Sequence, residues 1–133
     1  DVHALTQAGV ESRVFDFVDY LGQRQVQPAL RELHALLDKE DAGYVLAMIT
    51  RQFRLLIQTK ELVEAHTPPN AIAQTLGLHP YPAGKLSQQT RNYTAPGLER
   101  LYRQLLDCDI DVKTGRMDPT TALDVLVTTL ASG

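Results

Sequence analysis

The chain has one cysteine, Cys108, among its 133 residues. A lone thiol can form neither an intrachain disulfide nor a cysteine-based zinc site, which fits a reducing compartment. Long apolar runs are also missing. YVLAMI (Tyr44 to Ile49) and LLI (Leu55 to Ile57) fall far short of the ~20 residues that cross a bilayer. No basic-then-apolar leader opens the sequence, so a cytoplasmic protein with no membrane partner is expected. Phosphate-cradling loops of the GxxxxGK[ST] or GxGxxG kind are absent, and no serine or cysteine nucleophile motif stands out. His3, His34, His66 and His79 lack the i, i+4 partner and the carboxylate pattern that zinc requires. No catalytic residue, cofactor or metal is therefore expected.

A strong basic bias is lacking as well. The net charge is −3 and the pI is near 5.7, whereas dedicated DNA-binding domains are usually basic. The signs are unevenly placed: residues 1–42 carry four basic and eight acidic side chains, residues 43–103 seven and three, and residues 104–133 two and five. Only the middle is mildly basic, so DNA contact should be weak or indirect.

What is present is period-3.6 apolar spacing, with no sustained strand-like alternation. An all-α bundle of six or seven helices is predicted, large enough to hide roughly 70% of the unfolded chain's surface. The first helix holds Phe15, Phe17, Val18 and Leu21, with Ser12 as its cap and Gly22 as its stop. Val26, Leu30, Leu33 and Leu37 make the stripe of a second. The longest runs from about Asp41 to Ala65, with Val45, Ile49, Phe53, Leu56 and Val63 on one side and Ala47, Arg51, Arg54, Gln58 and Glu61 on the other. So broad an apolar sector suits a central helix. Thr67 is expected to cap a short helix from Pro69 to Leu76 that stops at Gly77. A turn over HPYP then leads into a helix ending near Arg91. Thr94 caps a helix buried through Leu98, Leu101, Leu105, Cys108 and Val112 and closed at Gly115. Asp118-Pro119 opens the last helix, which buries Leu123, Leu126, Val127 and Leu130.

Two stretches imitate functional motifs. NAIAQTLGLHPYPAGKL (Asn70 to Leu86) has the small residue, turn glycine and apolar anchor of a helix-turn-helix, in Ala73, Gly77 and Ala83 or Leu86. Its second helix offers only Lys85, Gln88, Gln89 and Arg91 to bases or phosphates, so an αα-corner packed on the bundle is the plainer reading and a DNA-binding module the alternative. Asp107, Asp109, Asp111 and Asp118 fall at positions 1, 3, 5 and 12 of a calcium loop, but Val112 stands where that turn needs glycine. Cys108 lies on a buried stripe and reads as an inert core thiol.

Several segments taken in order resemble a known family. FDFVDYLGQRQVQPALRELHALL (Phe15 to Leu37), RQFRLLIQTKEL (Arg51 to Leu62), IAQTLGLHPYPAGKL (Ile72 to Leu86), LLDCDIDVKTG (Leu105 to Gly115) and DPTTALDVLV (Asp118 to Val127) resemble the C-terminal helical domain of the delta subunit of bacterial DNA polymerase III, part of the sliding-clamp loader. Pro82, Gly84 and Asp111 depart from the usual pattern. The resemblance implies a clamp-loader collar domain over residues 11–133, with Asp1 to Val10 as the tail of an upstream lid domain. It implies partners of the gamma/tau and delta-prime type through the collar, and the sliding clamp only through upstream domains. In such a collar the loop holding Lys113 and Arg116 lies toward the DNA chamber. Asp1 is not methionine and the chain starts mid-pattern, which points to a piece of a longer protein.

Overall fold

A computed structural model describes the backbone of Gln7 to Ser132, with side chains as far as Thr129. Among the described residues there are seven α-helices and no strand: α1 (Gln7–Gly22), α2 (Val26–Lys39), α3 (Ala42–Glu64), α4 (Pro69–Leu76), α5 (Pro80–Gln89), α6 (Ala95–Lys113) and α7 (Pro119–Ser132), with a 3-10 turn at Thr90–Asn92 between α5 and α6. The expected architecture is the observed one. Asp1 to Thr6, including His3, and the side chain of Leu130 lie outside the described residues, while Gln7 to Val10 belong to α1.

The axis of the molecule is α3. Val45, Leu46, Ile49, Phe53 and Leu56 are buried along it, and every other helix packs against it. Full burial of each such side chain contributes roughly 1.5–3 kcal/mol. Asp41 starts the helix: its Oδ2 accepts from the backbone N–H of Tyr44 at 3.2 Å, satisfying one of the free donors of the first turn. In front of α3, α1 and α2 fold back on each other as an antiparallel hairpin, tied at the surface by Arg13 and Glu32 at 3.3 Å. Behind it, α6 lies along α3, and α7 closes the bundle with Ala122, Leu123, Leu126 and Val127 inward.

Helix ends explain the differences from the sequence reading. α1 begins at Gln7 and Ser12 is exposed within it, because Val10 and Val14 extend the buried row of Phe17 and Val18 by further turns and tertiary packing outweighs a local cap. Gly22 is not the left-handed stop. That role falls to Arg24 at φ 60°, where the Gln25 N–H reaches the Tyr20 carbonyl at 2.9 Å. Gly22 serves a close approach instead: a Cβ there would lie 2.7 Å from Tyr93 Cε2 and 2.9 Å from Asn92 Cβ. The Thr67 side chain does not cap α4; Pro68 occupies the capping position and Pro69 the first turn, where its missing N–H costs nothing. Gly77, at φ 68°, does end α4 as expected. α5 starts at Pro80, earlier than a turn over HPYP allows, since Pro80 and Pro82 both fall in the first turn, which needs no donors. On α2 the buried centre is Ala29, Leu33 and Leu36, with Val26, Leu30 and Leu37 at its half-buried margins.

A polar clasp crosses this apolar interior. Gln89 is 1% exposed; its Oε1 accepts from Gln52 Nε2 of α3 at 2.9 Å, and its Nε2 donates to the Phe15 carbonyl of α1 at 3.0 Å. Tyr93 sets its ring edge-on to Phe53 at 5.8 Å and donates its hydroxyl to the Val18 carbonyl at 2.6 Å. Burial, and then the negative charge of Asp19, push the phenol well above its usual pKa, so it stays a donor. α1, α3 and the end of α5 are thereby fixed in register. Replacing Gln89 with Leu strands the Gln52 amide without its acceptor and should lower stability by about 1–3 kcal/mol in urea unfolding; a change below about 0.5 kcal/mol would show that the clasp is not needed.

Candidate assembly surface

The helix-turn-helix lookalike is built from α4 and α5. Ala73, Ala83 and Leu86 are all buried, so the small residues and the apolar anchor serve packing. Gln89, one of the side chains considered for base reading, is turned inward into the polar clasp. Lys85 is half-buried, with its ammonium 4.4 Å from the centroid of the Phe15 ring and 5.7 Å from that of Tyr81. Among the four candidate readers only Gln88 and Arg91 are exposed. A recognition helix needs several outward polar side chains on one face, and α5 offers few.

The four aspartates of the calcium-like spacing are parted by the fold. Asp107, Asp109 and Asp111 stay on α6, which runs helically through Val112 to Lys113. Asp109 Oδ2 pairs with Lys113 Nζ at 2.8 Å, and Asp111 Oδ1 faces Arg116 Nη1 at 3.9 Å. Asp118 caps α7 instead, its Oδ1 accepting from the Thr121 N–H at 3.0 Å and its Oδ2 from the Thr121 hydroxyl at 2.7 Å. Lys113 and Arg116 sit at the α6–α7 turn, their side chains 72% and 75% exposed. Each faces a carboxylate. Gly115, at φ 76°, forms the left-handed turn between them.

Cys108 is half-buried on the same helix, its sulfur 3.9 Å from the Ala122 carbonyl. Burial first, then the charges of Asp111 and Asp107, raise its pKa, which keeps it a thiol rather than a nucleophilic thiolate.

Outward apolar side chains are the feature that sequence reasoning missed. On α6, Leu106 is 40% and Ile110 53% exposed, one turn apart on one face. Tyr102 precedes them by another turn and borders a groove of about 400 Å³ between α3 and α6, together with Ile57, Arg54 and Arg103. The signal was available: α6 carries a second i, i+4 apolar row, Tyr102, Leu106 and Ile110, beside the stripe through Leu98 and Leu105, and a helix that is apolar on two faces has more to cover than one core supplies. A separate cleft of about 740 Å³ opens between α1, α3 and the start of α5.

A family model described as DNA polymerase III delta subunit, C-terminal domain, matches residues 11–130. DNA polymerase III subunit delta of Bacillus subtilis (strain 168) is 28% identical over 128 residues, which is 96% of this chain and 37% of that protein. Among solved structures, the Bacillus subtilis DNA clamp loader delta protein superposes with a TM-score of 0.88 at 27% identity, over 93% of this chain and 37% of that one. The chain thus spans little more than a third of the length of each.

The Asp118 cap carries a pH signature. Hydrogen bonds from the Thr121 backbone, and then from its hydroxyl, hold the carboxyl below its usual pKa, so its stabilisation is complete above the unfolded value and is lost as pH falls through the folded one. Asp118→Ala should melt below wild type at neutral pH, and the gap should narrow as pH falls below the ordinary carboxylate range. A gap of constant size at all pH values would mean that charge plays no part in the cap.

Proposed function

The chain belongs to the family of C-terminal domains of the DNA polymerase III delta subunit, and from that premise we propose that it is the assembly segment of a clamp-loader protein. In this reading it packs beside the corresponding domains of gamma/tau-type and delta-prime-type subunits. Together they form a closed helical collar that holds the loader while the sliding clamp is placed on DNA. Contact with the clamp belongs to domains outside this chain.

The observation that carries the reading is the outward row of Leu106 and Ile110 beside the α3–α6 groove. Scattered exposed apolar residues are ordinary, but a row at helical spacing beside a groove is the edge of an unfinished helix packing. A neighbouring helix laid along α6 would bury it, extending the bundle from one chain to the next. Such a role asks for rigid shape rather than reactive groups, and we assign no catalytic residue, cofactor or metal to this domain. No described helix is long and apolar enough to cross a membrane, and a cytoplasmic site suits a replication protein. DNA contact is weak in this reading, because Lys113 and Arg116 are each partly neutralised by a carboxylate.

Mixing the full-length protein with its gamma/tau- and delta-prime-type partners and sizing the product tests the collar. Wild type should enter a single large complex. Leu106→Asp/Ile110→Asp should weaken entry about tenfold or more while helicity is kept; unimpaired assembly would remove α6 from the interface. For the α6–α7 turn, Lys113→Glu/Arg116→Glu should reduce DNA-stimulated loading and lower the salt slope of DNA binding by about one to two. Loading and slope equal to wild type would retire the turn as a phosphate contact.

A further inference from the structure

The cleft between α1, α3 and α5 has no part in the contact assigned to α6. Phe15, Leu55, Leu78 and Leu86 give it an apolar lining, and Arg51 and Lys85 stand within it. Neither cation makes an ion pair among the described residues. Glu11 is the only carboxylate among the lining residues, so the cleft is net positive. Tyr81 borders it at 77% exposure, a large aromatic ring left in water. With the Lys85 ammonium held over the Phe15 and Tyr81 rings, cation and apolar surface are presented together.

We propose that this cleft seats the domain that precedes this one in the full-length protein, which inserts a carboxylate flanked by apolar side chains. Charge selects the inserted group, since an acidic side chain would meet both Arg51 and Lys85 while its apolar neighbours cover Tyr81 and fill the lining. Size and position select the occupant. A cleft of about 740 Å³ takes only a few side chains; a freely diffusing partner would need further contacts around it to reach the roughly 800 Å² on each side of a stable complex. A tethered domain arrives at an effective concentration in the millimolar range and is held by far less. Interfaces between domains of one chain are accordingly small and polar. The wall formed by Ala8, Glu11 and Phe15 is the beginning of α1, the element that follows whatever lies on the N-terminal side. The matching family model is that of a C-terminal domain, and the relatives are far longer than this chain, so in them most of the protein lies on that side. This inference rests on the family membership and not on the collar contact.

The test uses the full-length protein, free of partners, as wild type, as Arg51→Glu/Lys85→Glu and as Tyr81→Ser. Hydrogen exchange over residues 77–86 and the radius of gyration from small-angle scattering are read side by side. Both variants should raise exchange in that segment about fivefold and increase the radius of gyration, with far-UV circular dichroism unchanged. Tyr81 is so exposed that its replacement leaves the fold intact even if the charge reversal does not. Exchange and radius equal to wild type in Tyr81→Ser would overturn the proposal. So would a loss of binding to the other loader proteins with no change in the free protein, which would make the cleft a contact between different chains. Leu106→Asp/Ile110→Asp should leave exchange at the cleft unaltered, so the collar contact can fail while the docking stands.

Discussion

Burial of the broad inner face of α3 is the constraint on which the rest depends. A helix of 23 residues with Val45, Ile49, Phe53 and Leu56 on its inner face is unstable alone in water and becomes the scaffold once six other helices cover it. Apolar contact is non-directional, however, and would tolerate several rotations of its neighbours. The Gln52–Gln89–Phe15 bridge removes that freedom, because a buried amide has to find its partners in one register or remain desolvated without them. Gly22 and Tyr93 reinforce the same corner, the glycine making room and the phenol bonding back to α1.

Once the inner faces are fixed, the outer ones follow. The row of Leu106 and Ile110 is exposed because Leu98 and Leu105, on the adjoining face of α6, are already committed to the core. Lys113 and Arg116 come to the α6–α7 turn in the company of the acidic residues that close α6, which confines them to a weak local field. The lookalike motif of α4 and α5 is likewise explained by packing. Its small residue and anchor are needed to seat a corner on α3, and the same chemistry seats the first helix of a DNA reader against its second. Arrangement of the outward side chains separates the two cases.

The sequence made the α-helical class, the central place of α3 and most helix ends legible, because each has a local cause: apolar period, Thr94 as a cap, Gly77 and Gly115 as left-handed turns. It concealed whatever depends on contacts distant along the chain. Ser12 looked like a cap until Val10 and Val14 were seen to pack. Gly22 looked like a stop until Tyr93, some seventy residues later, was found against it. Gln89 looked like a surface amide, since no local pattern marks a glutamine for burial. The outward row of α6 was half legible: the second apolar row was present in the residues, but only the fold shows that nothing in the described chain covers it.

Native-state hydrogen exchange of the intact protein, resolved along the helices, tests the primacy of α3 most directly. The amides of residues 45–56 should exchange last, and only through global unfolding, with the same free energy as urea denaturation yields. If the middle of α3 opens ahead of α1 or α6, the helix is not the support on which the others rest, and the derivation of the outer surfaces from it fails.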